Sequence, residues 1–230
     1  MSRRQKLRVA VAGATGLVGR ALLRRLLDDP GFGTVHAVVR GAVRGDPLPS
    51  RARPLTVADY ATLGQPGSAP LPALDCAISA LGTTIKDAGS QAAFRAVDVD
   101  AVVAFARASK AAGAKRFGVV SALGADPRSR VFYNRCKGDM EAALRGLDFE
   151  LLVIARPSLL LGHRAALGQK ARRGEALAQA AMPLLAWAVP KRYAPISAET
   201  VAAAMLQALA RGTPGTCVLE SDDLQRMTRG

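Results

Sequence analysis

Short apolar runs alternate along the chain with longer segments in which apolar residues recur at helical spacing. Apolar, β-branched runs bounded by turn residues are typical of buried strands, whereas a period near 3.6 residues predicts amphipathic helices. The predicted strands cover residues 7–12, 34–39, 55–58, 74–80, 115–121 and 149–155. The predicted helices between them cover residues 16–27, 91–112 and 131–147.

Strands that alternate with helices predict βαβ units, because a parallel pair of strands needs a crossover connection. The run from 151 to 154 (LLVI) is apolar at every position, as expected for a strand covered on both faces of a sheet. We therefore predict an α/β fold with a Rossmann-type, doubly wound parallel sheet. Residues 1–230 are predicted to form one domain, in which 157–230 make a small appendage on the substrate side.

The appendage is predicted from a change of pattern after Pro157. Residues 167–189 and 198–210 have helical spacing, and 192–196 and 216–219 have the character of short strands. Specificity for a substrate would lie near 82–90 and 157–195, where no motif is present.

The amino-acid composition of the chain excludes several classes of protein. The chain has 230 residues, of which 50% are hydrophobic, so it has enough apolar material for a core. Its three cysteines are widely spaced and it has two histidines, so no zinc site or other metal site is predicted. Sparse cysteines are typical of reducing compartments, and we expect a cytoplasmic protein. A membrane helix needs about 20 apolar residues, and no uninterrupted run approaches that length.

The formal net charge is +14, with the basic residues spread along the chain rather than concentrated in one run. Such a charge permits an anionic ligand or a nucleic acid. Only ten aromatic residues are present (Phe 6, Tyr 3, Trp 1), and no nucleic-acid-binding motif accompanies them. Nucleic-acid binding is therefore disfavoured, and the sequence leaves the oligomeric state open.

A glycine-rich turn follows the first predicted strand. Its sequence is Gly13-Ala14-Thr15-Gly16-Leu17-Val18-Gly19, and it opens the first predicted helix. Glycines there permit a tight turn, close approach of backbone amides to a pyrophosphate, and close packing of helix on strand. A helix N-terminus also favours an anion. The turn lacks the Lys-Ser/Thr of a nucleoside-triphosphatase loop, so it predicts a dinucleotide site.

Arg40 follows the second predicted strand at the position where an NAD site commonly carries an acid. A guanidinium matches a phosphate dianion and cannot accept hydrogen bonds from ribose hydroxyls. We therefore predict NADP(H) as the cofactor, in preference to NAD(H).

Three further residues form a candidate catalytic group. Ser121 ends a predicted strand at the edge where ligands bind, and Tyr133 and Lys137 lie four residues apart on the next predicted helix. A cation beside a phenol favours the phenolate, which makes the phenol usable as an acid or base near neutral pH. Lys137 would also hydrogen-bond a ribose, and Ser121 would hold the substrate oxygen.

These elements, in this order, resemble the signature of the short-chain dehydrogenase/reductase superfamily. The chain is similar to its atypical branch, the one that contains the HIV Tat-interactive oxidoreductase, over roughly residues 7–165. The match rests on the segments 80–84 (ALGTT), 97–100 (VDVD), 124–126 (GAD), 137–141 (KGDME) and 156–160 (RPSLL).

The resemblance implies an NADPH-binding Rossmann protein and assigns roles to individual residues. The pyrophosphate would be contacted by Thr15, Gly16, Leu17 and Val18, and the 2′-phosphate by Arg40. The adenine–ribose side would be lined by Leu81 and Gly82, and the nicotinamide ribose would be contacted by Tyr133 and Lys137. Arg164 matches a basic position near the cofactor. Two positions depart from the pattern: Asp98 stands where asparagine is often found, and Ala122 where relatives often carry a second serine.

The leading hypothesis is an NADPH-dependent oxidoreductase that transfers hydride to a small carbonyl substrate. Tyr133 would donate the proton, Lys137 would assist it, and Ser121 would polarise the oxygen. The alternative is a regulatory protein that senses NADP(H) without turning it over.

Overall fold

A seven-stranded parallel sheet forms the centre of the molecule. The computed structural model describes residues 6–43, 47–65, 67–161 and 190–228. The strands in chain order are β1 (Leu7–Ala12), β2 (Phe32–Arg40), β3 (Arg53–Val57), β4 (Cys76–Ser79), β5 (Arg116–Val120), β6 (Leu151–Arg156), β7 (Leu160–Leu161), β8 (Ile196–Ser197) and β9 (Gly215–Glu220). The main sheet has the order β3-β2-β1-β4-β5-β6-β9, and β7 pairs with β8 separately.

Helices cover both faces of the sheet. They are α1 (Leu17–Asp28), α2 (Ile85–Ala88), α3 (Gln91–Arg95), α4 (Ala101–Ala111), α5 (Phe132–Arg145), α6 (Ala198–Arg211) and α7 (Ser221–Met227). One apolar core joins the sheet to α1, α6 and α7, and the other joins it to α4 and α5. Every described pairing of strands is parallel, so the predicted doubly wound fold is confirmed.

The C-terminal region contributes more to the sheet than the sequence predicted. β9 pairs with β6 over its whole length, from Leu151–Gly215 to Arg156–Glu220 in register, and forms one edge of the main sheet. Gly118 of β5 allows α6 to pack closely, since a Cβ there would lie 3.0 Å from Leu209 Cδ1. Residues 198–220 therefore complete the Rossmann layer rather than forming a separate appendage.

Two element predictions differ from the structure. The predicted helix 91–112 is interrupted by a π-helical turn at Ala96–Asp100 between α3 and α4. The predicted strand at 192–196 is wrong, because Lys191–Tyr193 is a 3₁₀ turn and only Ile196 of that range lies in β8. The predicted helix at 167–189 lies outside the described residues.

Candidate functional site

The strand order reverses between β1 and β4, and a cleft opens there at the carboxyl ends of the strands. This topological switch point is where ligands bind in open parallel sheets. The cleft has a volume of about 930 Å³, at the upper end of the range of roughly 300–1,000 Å³ for small-molecule sites. Its lining residues include Gly13, Ala14, Thr15, Gly16, Val38, Arg40, Ala58, Tyr60, Leu81, Gly82 and Thr83.

The glycine-rich turn forms the floor of the cleft, and two of its glycines are required by packing. Gly13 has φ +75°, and a Cβ there would lie 2.4 Å from the carbonyl oxygen of Ala80. A Cβ on Gly19 would lie 2.0 Å from the Gly13 carbonyl oxygen. The turn therefore folds back on itself and against the end of β4 with no space for a side chain.

The N-terminus of α1 begins at this cleft, since its N-cap residue, Gly16, is one of the lining residues. The first turn of a helix has N–H groups without intrahelical partners, and Gly16 supplies no side-chain cap to them. The side chain of Val18 is buried in the core, so only its backbone N–H is available to a ligand. These features fit the pyrophosphate of a dinucleotide, which the helix dipole also favours.

Arg40 lies at the rim of the cleft, at the end of β2, with its side chain exposed. Within the described part of the chain, no carboxylate lies within ion-pair distance of its guanidinium. Below Arg40 the Tyr60 hydroxyl donates a hydrogen bond of 2.6 Å to the Val38 carbonyl oxygen. Burial raises the pKa of Tyr60, so this phenol is neutral and serves as a wall of the cleft.

Tyr133 and Lys137 lie on α5, as predicted, one turn apart. The Lys137 ammonium is 5.9 Å from the centroid of the Tyr133 ring, and Tyr133 itself is half-buried against Phe94. A Cβ on Gly82 would lie 4.0 Å from Lys137 Nζ, so the ammonium adjoins the wall of the cleft. Lys137 also forms a buried ion pair with Asp98, at 2.7 Å.

Ser121 is buried just after β5 and does not contact Tyr133 through any described hydrogen bond. Its hydroxyl donates instead to Glu141 Oε1, at 2.6 Å. Arg156 donates to both oxygens of the same carboxylate, at 2.9 and 2.7 Å, and also to Glu220, at 2.9 Å. The Glu141 and Glu220 carboxylates raise the pKa of Arg156, which is therefore permanently charged.

Several residues of the site were not predicted from the sequence. Tyr60 lies in no motif. Glu141 and Arg156 lie in the family segments 137–141 and 156–160 but were given no role, and Asp98 was noted only as a departure from a family pattern. A strand-ending arginine before proline and a glutamate four residues after the lysine would have been the signals for the Glu141–Arg156 pair. Arg164, the remaining predicted cofactor residue, lies outside the described residues.

The described ranges contain no helix long and apolar enough to cross a membrane. In the same ranges, no three metal-ligating side chains come together.

Residues 13–211 match the family described as NAD(P)H-binding. Protein FMP52, mitochondrial, of Eremothecium gossypii is 40% identical over 154 residues, which is 67% of this chain and 66% of that protein. Protein HTATIP2 of Rattus norvegicus is 32% identical over 212 residues, which is 92% of this chain and 84% of that protein. The match to the Eremothecium protein thus leaves about a third of its length without a counterpart.

Among solved structures, MoeE5 in complex with UDP-glucose and NAD has a similar fold. Its TM-score is 0.67 at 18% sequence identity, and the alignment covers 96% of this chain and 80% of MoeE5. At this identity the similarity shows the fold, a Rossmann-like sheet of the dehydrogenase and epimerase type.

The relatives correct one expectation. The cytoplasmic location expected from the sparse cysteines is wrong, because FMP52 proteins of several species are named mitochondrial and so point to that compartment. Free cysteines are typical of reducing compartments in general, so they do not assign one compartment by themselves.

The glycine-rich turn, the cleft at the switch point and the Tyr133–Lys137 helix all lie within the matched region. The chain therefore belongs to the NAD(P)H-binding family, as an atypical short-chain dehydrogenase/reductase similar to HTATIP2.

Proposed function

We propose that this protein is an NADPH-dependent oxidoreductase that reduces a small carbonyl compound. The observation that carries the proposal is the juxtaposition of the glycine-floored cleft with Lys137, whose ammonium adjoins the cleft wall at Gly82. A bound nicotinamide cofactor would supply the hydride. The protein itself would bind and orient the two reactants and deliver a proton.

In this proposal the first-turn amides of α1 hold the pyrophosphate, and Leu81 and Gly82 line the side of the adenine and its ribose. Lys137 donates hydrogen bonds to the hydroxyls of the nicotinamide ribose. Tyr133 is half-buried on the same helix turn, so its hydroxyl is the group that would donate a proton to the substrate oxygen.

The preference for NADPH over NADH is supported by Arg40. Its exposed guanidinium at the cleft rim, with no described carboxylate beside it, suits the extra phosphate of NADP(H). No acid follows β2 directly to accept the ribose hydroxyls of NAD(H), since β2 is followed by Gly41 and Ala42.

A second candidate, a cofactor-sensing protein without turnover, is favoured by the position of Ser121. Polarising a substrate oxygen requires the serine proton, and here that proton is donated to Glu141. For Ser121 to act on a substrate, it has to exchange this partner. A sensor needs the cleft and Arg40 but has no such requirement.

Calorimetry with NADPH and NADH, followed by assays of NADPH oxidation with a panel of aldehydes and ketones, tests the proposal. We expect NADPH to bind more tightly than NADH, and Arg40→Ser to weaken NADPH by about 10–100-fold, the value of one charge-assisted phosphate contact. Arg53→Ser removes the same charge at the amino end of the neighbouring strand β3, away from the carboxyl ends where the cleft opens, and is the control. Equal affinities for both cofactors would contradict the NADPH assignment, and binding without turnover of any carbonyl would favour the sensor.

A further inference from the structure

A buried ion pair joins the π-helical turn to the helix that carries Tyr133. Lys137 Nζ lies 2.7 Å from Asp98 Oδ1, and the two side chains are only 5% and 1% exposed. The second carboxylate oxygen of Asp98 accepts a hydrogen bond of 2.8 Å from the backbone N–H of Thr83. Asp98 thus connects α5 to the loop after β4 that lines the cleft.

Stability alone does not account for a pair in this position. Removing two charges from water carries a desolvation cost that their attraction often does not recover, so apolar replacements are frequently as stable. The neighbouring Arg95–Asp139 pair joins the end of α3 to α5 from a more exposed position, at 47% and 31% exposure, and so carries less of that cost. We therefore look for a functional role of the buried pair, in addition to holding the helices together.

The backbone at Asp98 has an unusual helical geometry, and it lies next to a residue that lines the cleft. Asp98 lies in the π turn Ala96–Asp100, a wide turn of a kind that is frequent at functional sites. A Cβ on Gly82 would lie 3.4 Å from Asp98 Oδ1 and 4.0 Å from Lys137 Nζ. The ion pair consequently lies directly behind Gly82, one of the residues that line the cleft.

We propose that Asp98 is a positioning residue, which fixes the Lys137 ammonium in the orientation that receives the nicotinamide-ribose end of NADP(H). The proposal rests on the function proposed above. A lysine ammonium has three N–H donors. The Asp98 carboxylate holds this ammonium at 2.7 Å by its charge, beside the cleft wall at Gly82, where the N–H groups would meet the ribose hydroxyls. The same carboxylate compensates the positive charge of Lys137.

The test compares two ligands that differ at one end. NADP⁺ occupies both halves of the site, whereas 2′,5′-ADP carries only the adenosine half with its extra phosphate, which lies on the Arg40 side. The variant Asp98→Asn keeps an oxygen that accepts from Thr83 N–H but loses the charge that holds Lys137. We expect its Kd for NADP⁺, measured by calorimetry, to rise about tenfold, the equivalent of one lost hydrogen bond, while that for 2′,5′-ADP changes less than about twofold.

The matched control is Asp139→Asn, which removes the same charge from the more exposed Arg95–Asp139 pair on α5, the helix that carries Lys137, and should leave both ligands unaffected. Equal weakening of NADP⁺ and 2′,5′-ADP by Asp98→Asn would mean a merely structural role and would overturn the proposal, as would no weakening of either. If the wild-type protein binds neither ligand, the proposed function itself fails.

Asp98→Asn leaves Lys137 as a buried charge without its partner, and the variant is first checked by thermal melting for this reason. If it does not fold, Lys137→Gln is compared with the double variant Lys137→Gln/Asp98→Asn, in which both charges are absent. When Asp98 acts through Lys137, the second substitution causes no further loss of NADP⁺ affinity. A further loss of tenfold or more would overturn the proposal.

Discussion

At the scale of single residues, the hydrogen-bond partner of the Ser121 hydroxyl distinguishes a structural role from a catalytic role for this residue. A hydroxyl has one donor, and Ser121 uses it on Glu141 at 2.6 Å inside a buried network. Glu141 is held independently by two hydrogen bonds from Arg156, so the carboxylate keeps its place when the serine is removed. The serine therefore contributes mainly to the stability of the carboxyl ends of β5 and β6 in the state that the structure describes.

We expect Ser121→Ala to lower the free energy of unfolding by about 1.5–3 kcal/mol, the value of a hydrogen bond to a charged group. Turnover should fall much less than in Tyr133→Phe, where loss of a proton donor costs about 10²–10⁴-fold. Urea unfolding and NADPH-oxidation rates measured on both variants check this. A kcat of Ser121→Ala as low as that of Tyr133→Phe would instead restore the prediction that Ser121 polarises the substrate oxygen.

Local spacing predicts some of these residues and is silent about others. The Gly13–Gly19 turn and the Tyr133–Lys137 pair are predicted from neighbours in the chain. The structure places the turn in the lining of the cleft and the Lys137 ammonium behind Gly82. The partners of Lys137 and Ser121 are Asp98 and Glu141, and these contacts form only when the helices pack on the sheet. The hydrogen-bond partner of the Ser121 hydroxyl is set by such a tertiary contact, so no sequence motif predicts that partner.

At the scale of elements, the alternation of apolar runs and helical periodicity predicted most strands and the doubly wound sheet. Strand ends differ by one or two residues, as is usual when hydrogen-bonding decides them. The π turn at Ala96–Asp100 was missed because an added residue in a helix hardly changes the spacing of its apolar positions. The position of β9 at the edge of the sheet was not predicted, because its pairing with β6 is a contact between segments far apart in the sequence.

The glycine turn is the element on which the cleft depends, and Gly13→Ala tests it. Alanine in the left-handed region costs about 1–2 kcal/mol, and its Cβ would meet the Ala80 carbonyl oxygen at 2.4 Å. We expect a total loss of about 2–4 kcal/mol in stability, with weakened NADPH binding, because the backbone has to shift. Urea unfolding and calorimetry measure the two effects.

Gly89→Ala is the control for the steric part of that loss. Gly89 has φ +80°, close to the value at Gly13, but a Cβ there would meet nothing within 4 Å. It should lose only the conformational contribution of about 1–2 kcal/mol and bind NADPH normally. Equal losses in the two variants would show that the contact with Ala80 does not constrain the turn.

At the scale of the whole molecule, the excess of cations makes the fold sensitive to acid. With 32 Lys and Arg against 18 Asp and Glu, at least 14 cations have no acidic counterpart in the chain. Lowering the pH adds positive charge and so increases self-repulsion in the compact state. Titration of groups whose pKa differs between the folded and unfolded chains adds to this effect in defined pH windows.

His36 sets the first of these windows. Burial in β2, and then the charge of Arg53 on the neighbouring strand, lower the pKa of His36 below its usual 6.5. The unfolded chain therefore binds this proton more readily, and stability is lost as the pH falls below about 6.5. The pKa of Asp75 is lowered by its hydrogen bonds and ion pair with Arg8, so its contribution is present above about pH 3.9 and is lost only in stronger acid.

We therefore expect the free energy of unfolding to decrease between pH 7.5 and 5, and His36→Gln to flatten that part of the curve. The urea midpoint at constant m-value, measured at half-unit steps, reports the slope. Arg53→Ser removes the second cause of the shift but leaves the burial, so it should reduce the slope without abolishing it. If His36→Gln retains the full wild-type slope, the acid sensitivity arises from net charge or other groups, since a neutral side chain at position 36 has no proton to take up.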